Sequence, residues 1–233
     1  MSNNYQCNED CQVEDKRKYY KCAVYFTLKD ITTWDTEQFE DSKVKHTTLS
    51  NIMYTANREY SQRISLFYGS ITSLEIDVIV NAANNELRGG GGVDGAIHNA
   101  AGNELLNYCK TLNGCKTGEA KITSGYRLPA KFVIHTVGPK NEHPDLLRSC
   151  YDKCLDIFVK QKCRSIAFPC ISTGIYNYPK PKACIIALTA VRNFFDEIAD
   201  DISQIDRVIF CTYEKDNYDL YRKQLNVFFP SPY

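Results

Sequence analysis

The chain has 233 residues and a mass of 26.6 kDa, room for one ordinary α/β domain with an appendage, or two small domains at most. Hydrophobic residues make up 43% and charged residues 24%, globular values that exclude a wholly disordered chain. Lys and Arg number 28 and so do Asp and Glu, so the chain lacks the positive field that drives non-specific binding to nucleic acid or anionic membrane.

No run approaches the roughly 18 apolar residues that a membrane span needs. The start, Met1 to Gln12, is polar and acidic, which predicts neither a secretory signal nor a basic transit peptide. The 11 cysteines form no C-x-x-C pair. They read as reduced thiols, so a cytoplasmic or nuclear location is expected.

Residues 1–61 are polar and aromatic, with little strand-like alternation, and are read as an N-terminal helical extension and linker. Within them, Asp15 to Trp34 is expected to form one or two short helices, and 35–62 a loop. Residues 62–233 are expected to form the main domain. Arg63 to Tyr68 alternates weakly, and Ile76 to Val80 is an almost continuously apolar strand, as expected where both faces are covered. Asp94 to Lys110 carries a helical stripe of Ala96, Ile97, Ala100, Ala101, Leu105 and Leu106. Phe132 to His135 predicts a strand and Asp145 to Gln161 an amphipathic helix. Ser165 to Phe168, Lys182 to Ala199, Ile205 to Cys211 and Asn217 to Phe229 continue as strand, helix, strand and helix. Such alternation predicts a largely parallel sheet with helices on both faces.

In open α/β sheets, ligands bind beyond the carboxyl ends of the strands. Two loops there are unusual. One runs from Asn81 through Asn84 and Arg88 to Gly89, Gly90, Gly91 and Gly92, then Val93, Asp94 and Gly95. The other runs from Pro169 through Ser172, Thr173, Gly174 and Ile175 to Tyr176. Glycines let a backbone approach a ligand closely, and a helix start turns its N–H groups toward an anion. The two loops together suit a diphosphate clamp. No Gly-Lys-Ser/Thr follows, so this is not a P-loop. Gly90 to Gly95 matches G-x-G-x-x-G only formally, because about ten residues separate it from the strand where a dinucleotide turn follows directly.

Asp94 and His98 are four apart and share a helix face. A carboxylate at a helix start, beside a phosphate clamp, can orient or deprotonate a water; for a bare Asp at this position a helix cap is the default reading. His98 reads as a supporting group or as a buried core histidine. Asn81 and Asn84 suit sugar hydroxyls or turn formation. No His, Cys and Asp grouping has zinc-ligand spacing, and Cys150 and Cys154 read as core.

Several long motifs in order resemble the macro domain, and more narrowly its MacroD-type branch. They are Ile79 to Asn84, Gly89 to His98, Ala100 to Gly102, Gly114 to Thr123, Leu128 to Pro139 and Phe168 to Tyr176. The resemblance covers about Gln62 to Pro230. It implies a three-layer α/β/α fold with a mixed, largely parallel sheet, binding ADP-ribose. It further implies a hydrolase that removes mono-ADP-ribose from acidic side chains of modified proteins and deacetylates O-acetyl-ADP-ribose. ADP-ribosylated nucleic-acid ends are a further partner class within the resemblance. ADP-ribose is ligand and product, and neither cofactor nor metal is expected.

Residue by residue, the resemblance makes Asn84 a contact of the distal ribose, Asp94 the acidic residue implicated in catalysis and His98 the histidine that supports it on the same helix face. It puts Gly90, Gly91, Gly92 and Val93 in the first diphosphate loop, and Ser172, Thr173, Gly174, Ile175 and Tyr176 in the second. Tyr176 positions the distal ribose and Tyr213 packs on adenine. Ser70, followed by Ile71, stands where the family commonly has an Asp that recognises the adenine amino group; Ser70 accepts a hydrogen bond but carries no charge. Asn81 completes the expected ligand contacts. The proton acceptor is either Asp94 or the ligand's own phosphate. The alternative function is a non-catalytic reader of ADP-ribosylated proteins.

Overall fold

The computed structural model describes residues 16–36 and 54–230. A six-stranded sheet is built from β2 (Ile64–Tyr68), β4 (Val78–Ala82), β5 (Ala120–Ser124), β6 (Phe132–Thr136), β7 (Ser165–Phe168) and β8 (Arg207–Thr212), in the order β2-β8-β7-β4-β6-β5. All neighbours are parallel except β5, which runs antiparallel to β6. The strand period of two sorts the side chains between two cores. Val78, Val80, Ile134, Ile166, Phe168, Val208 and Phe210 join one; Ile79, Val133, Ala167 and Ile209 join the other.

The first core is covered by α4 (Pro144–Lys160), α5 (Lys180–Glu197) and α6 (Lys215–Phe228). Their apolar stripes bury Leu147, Tyr151, Phe158, Leu188, Phe195 and Leu225 completely or nearly so. The second core is covered by α2 (Gly92–Ala101) and α3 (Asn103–Thr111), through Ile97, Ala101, Leu105 and Cys109. The result is the expected three-layer α/β/α arrangement. Among the described residues no helix is long and apolar enough to cross a membrane.

Asp77 aligns three strand starts. Its Oδ2 accepts from the N–H groups of Arg164 and Ser165 at 2.9 and 3.0 Å and from Ser165 Oγ at 3.0 Å. Its Oδ1 accepts from Lys131 Nζ at 2.6 Å. With β4, β6 and β7 pinned at one end, their carboxyl ends emerge together at the other.

The structure differs from the sequence reading in four places. The helical extension expected over Asp15 to Trp34 is, where described, helical only at residues 16–17; turns follow, then β1 (Phe26–Thr27), paired parallel to β3 (Leu74–Glu75). Ile31 and Trp34 are buried in opposite cores, and Trp34 N–H donates to Ile64 O at 2.7 Å. Long-range docking thus overrides a local pattern that gave no continuous helical face. The segment expected as loop over 35–62 holds a single turn, α1 (Arg58–Ser61), capped by Asn57; residues 37–53 lie outside the described residues. The one helix expected over Asp94 to Lys110 is broken into α2 and α3 at Gly102, whose φ of 91° leaves the helical region. Strand β5 was not expected, because an edge strand rich in Lys, Thr and Ser carries little apolar signal.

Candidate active site

The loops that leave β2, β4, β6, β7 and β8 border one cleft of about 620 Å³ at the carboxyl end of the sheet. Its lining includes Ser70, Ile71, Asn84, Gly90, Gly91, Gly92, Val93, Asp94, Ser172, Thr173, Gly174, Ile175, Tyr176 and Tyr213. Two expected site residues, Asn81 and His98, lie behind this wall. Glu214 and Asn217 line the cleft without having been singled out, and Cys170 lines it beside them. Glu214 and Asn217 follow β8 directly, so the strand-end rule points to them once β8 is placed beside β7.

Asn84 shapes the first loop. Its Oδ1 accepts from Glu86 N–H at 3.0 Å, and its Nδ2 donates to Gly89 O at 2.7 Å. The loop then folds back on α2 so closely that a Cβ on Gly95 would lie 2.3 Å from Gly90 O; only glycine permits this approach. Gly91 is the N-cap of α2 and supplies no side-chain cap. The first-turn N–H groups therefore suit an anion in the cleft, reinforced by the helix dipole.

The second loop is held by Tyr178 N–H to Ser172 O at 2.9 Å and Thr173 Oγ1 to Cys170 O at 2.9 Å. Gly138, after β6, packs beneath it; a Cβ there would lie 2.1 Å from Ser172 Oγ. Ile175 and Tyr176 form the outer lip, with Lys140 Nζ 5.8 Å from the Tyr176 ring centroid. At the other end of the cleft Tyr213 is 79% exposed, an aromatic face open to a partner. Ser70 Oγ is paired with Thr72 Oγ1 at 2.7 Å.

Asp94 sits in the first turn of α2 and is buried. Its Oδ2 lies 3.3 Å from Asn84 Nδ2, on the cleft side. Its Oδ1 accepts from Asn81 Nδ2 at 2.8 Å, on the interior side. His98 Nε2 is 3.6 Å from Oδ1, and neither ring nitrogen of His98 has a hydrogen-bond partner among the described residues. Burial pushes the Asp94 carboxyl up, opposed by the Asn81 bond and by His98. Burial pushes the His98 imidazole down, opposed by Asp94. Burial thus disfavours the charged form of both groups, and each partly offsets the effect on the other.

Cys170 offers no rival nucleophile, because burial pushes its thiol up to about 12. His98, Cys109 and His135 bring potential ligand atoms within 4.8 Å of one another, a grouping that sequence spacing does not show. His135 Nε2 is engaged with Thr123 Oγ1 at 3.0 Å.

A three-layer α/β/α sheet with a loop-lined cleft at its carboxyl end and a buried carboxyl group in the cleft wall defines a ligand-binding α/β domain. The comparisons are more specific. The Macro domain profile matches residues 80–187. The bovine ADP-ribose glycohydrolase MACROD1 is 44% identical over 223 residues, covering 93% of this chain and 66% of that protein. A macro domain-containing protein of Chlorobaculum tepidum is 56% identical over 66% of this chain and 91% of its own length. The crystal structure of a Trypanosoma brucei macrodomain in complex with ADP-ribose superposes with a TM-score of 0.76 at 39% identity, covering 93% of this chain and 87% of that one. The chain belongs to the macro-domain family, in its MacroD-type branch. It spans just under two thirds of the bovine relative and about half of human MACROD2, at 51%.

Proposed function

We propose that this chain hydrolyses ADP-ribosyl esters: it removes mono-ADP-ribose from glutamate and aspartate side chains and deacetylates O-acetyl-ADP-ribose. One observation carries the reading. Asp94 is buried, oriented by two amides and open to the cleft between the two loops. A passive reader has no need of a carboxyl group whose ionised form is disfavoured by burial. The relatedness to ADP-ribose glycohydrolases supports the same reading.

The first-turn N–H groups of α2 and the loop from Ser172 to Tyr176 hold the diphosphate. Tyr213 stacks on the base, with Ser70 and Ile71 beside it. The bent ligand brings its distal ribose to Asn84, Asp94 and Tyr176. A water between the ligand's phosphate and Asp94 attacks the ester carbonyl. Asp94 takes its proton, the acyl–oxygen bond breaks, and the ribose oxygen leaves and is reprotonated. His98, uncharged, fills the space behind the carboxylate. No residue in this scheme needs a metal or cofactor.

The test is release of labelled ADP-ribose from a glutamate-modified and from a serine-modified protein. The reading predicts turnover on the glutamate ester and little on the serine acetal, which has no carbonyl to attack. Stable binding without release would identify a reader instead.

A further inference from the structure

Behind Asp94 lies a group of buried side chains that the scheme above does not use. Parallel pairing of β4 and β6 sets Asn81 beside His135, and both are fully buried. Asn81 Nδ2 stands 2.8 Å from Asp94 Oδ1 and 3.0 Å from His135 Nδ1. On its other edge, His135 Nε2 is 3.0 Å from Thr123 Oγ1, on the edge strand β5. Thr123 Oγ1 in turn donates to Ser124 O at 3.0 Å.

Counting hydrogens fixes the direction of this chain. The Asn81 amide has two; the Asp94 carboxylate takes one and the other points at His135 Nδ1. That nitrogen must present its lone pair, so the ring proton sits on Nε2. Nε2–H then donates to Thr123 Oγ1, whose own hydrogen is spent on Ser124. Cys109 Sγ, 3.9 Å from Nε2, is a weaker neighbour. Burial pushes the His135 imidazole down to about 3, with His98 adding to the effect, so the ring stays neutral near neutral pH. His98 is too far from Asp94 for a short hydrogen bond, so the two asparagines fix the carboxylate, and only Asn81 is itself anchored to the sheet.

We propose that Asn81, His135 and Thr123 are positioning residues for ester hydrolysis: a directed hydrogen-bond relay in which a hydroxyl on β5 sets the tautomer of His135, and thereby the aim of Asp94 into the cleft. This rests on Asp94 as the reacting carboxylate. A merely structural polar cluster would stabilise the domain without depending on the direction of the relay.

Thr123→Val removes the acceptor for Nε2–H at nearly constant shape; Thr123→Ser keeps it. The chain has four histidines, so the imidazole nitrogen resonances of full-length protein are assignable. The wild type is expected to show His135 neutral with its proton on Nε2. In Thr123→Val the Nδ1–H form gains population and turns a donor against the Asn81 amide. Its kcat falls roughly ten- to a hundredfold, the scale for losing a group that orients a reacting residue. Its Kd for ADP-ribose stays within about twofold, because ground-state binding is spared. Thr123→Ser restores both tautomer and kcat. A wild-type ring protonated on Nδ1 overturns the relay, even if no variant folds. So does a Thr123→Val enzyme with unchanged kcat, or one no slower than Thr123→Ser. A wild type with the Nε2–H tautomer but no ester hydrolysis overturns the functional reading and leaves the tautomer assignment standing.

Discussion

Asn84 and Asp94 face each other across the first loop, with Nδ2 3.3 Å from Oδ2. The same amide nitrogen donates to Gly89 O at 2.7 Å, so one side chain ties the shape of the first loop to the orientation of the Asp94 carboxylate. In the proposed reaction this couples ligand binding to chemistry through a single residue.

Asp94→Asn removes the base and keeps the side-chain shape. Positioned general-base catalysis contributes about 10²–10⁴-fold, so kcat for ester hydrolysis is expected to fall by that range. Calorimetry with ADP-ribose is expected to show affinity close to wild type. An unchanged kcat would remove Asp94 from the mechanism.

The pH dependence follows from the burial of Asp94. Its folded-state pKa is raised, and only the ionised form accepts a proton, so kcat rises with pH along a limb above the ordinary carboxylate range. The same shift acts on stability: the contribution of this carboxyl is present in full below its unfolded value and lost as pH rises through its folded value. A kcat profile flat down to the ordinary aspartate range would show that the ligand's phosphate, not Asp94, takes the proton.

Gly95→Ala drives a methyl group to within 2.3 Å of Gly90 O, and backbone cannot swing aside as a side chain can. The diphosphate loop must move outward, at an expected cost of about 1–3 kcal/mol of local overpacking. The Kd for ADP-ribose is expected to rise roughly tenfold or more. Retained wild-type affinity would show that the loop tolerates the shift and does not grip the diphosphate in this form.

Asp77→Ala tests the fold independently of the site. Burial raises the Asp77 pKa, but Lys131, the Arg164 N–H and Ser165 together outweigh it, and the net shift is downward. Its stabilisation is present above the unfolded value and lost as pH falls through the folded value. Urea unfolding is expected to show a loss of about 1–3 kcal/mol at neutral pH, from backbone donors left unpaired. The gap between wild type and variant should narrow in acid. An equal gap at both pH values would exclude a role for the ionised carboxylate.

Much of this architecture is legible in the residues. The apolar runs at Ile76 to Val80, Ser165 to Phe168 and Ile205 to Cys211 mark β4, β7 and β8 because both faces are covered, and the loop from Gly89 to Gly91 folds tightly onto α2 because residue 95 is glycine. Asp94 and His98 share a helix face as their spacing requires. Asn81 is instructive: its residue type suits a ligand contact, but it shares a strand face with Ile79 and so points into the interior, where it holds Asp94. His135 and Thr123 carry no linear signal at all, since their meeting with Asn81 depends on the register of three strands. The N-terminal segment was opaque for a similar reason. Trp34 N–H donates to Ile64 O on β2 and Ile31 O accepts from Arg207 Nη1 on β8, distant partners that no local pattern announces.

The most direct test of the account is diffraction from crystals of the protein soaked with ADP-ribose. The account predicts the diphosphate between Gly90 to Val93 and Ser172 to Tyr176, with the distal ribose in hydrogen-bond reach of Asn84 and beside Asp94. A nucleotide bound outside this cleft, or a distal ribose turned away from Asp94 toward solvent, would contradict it.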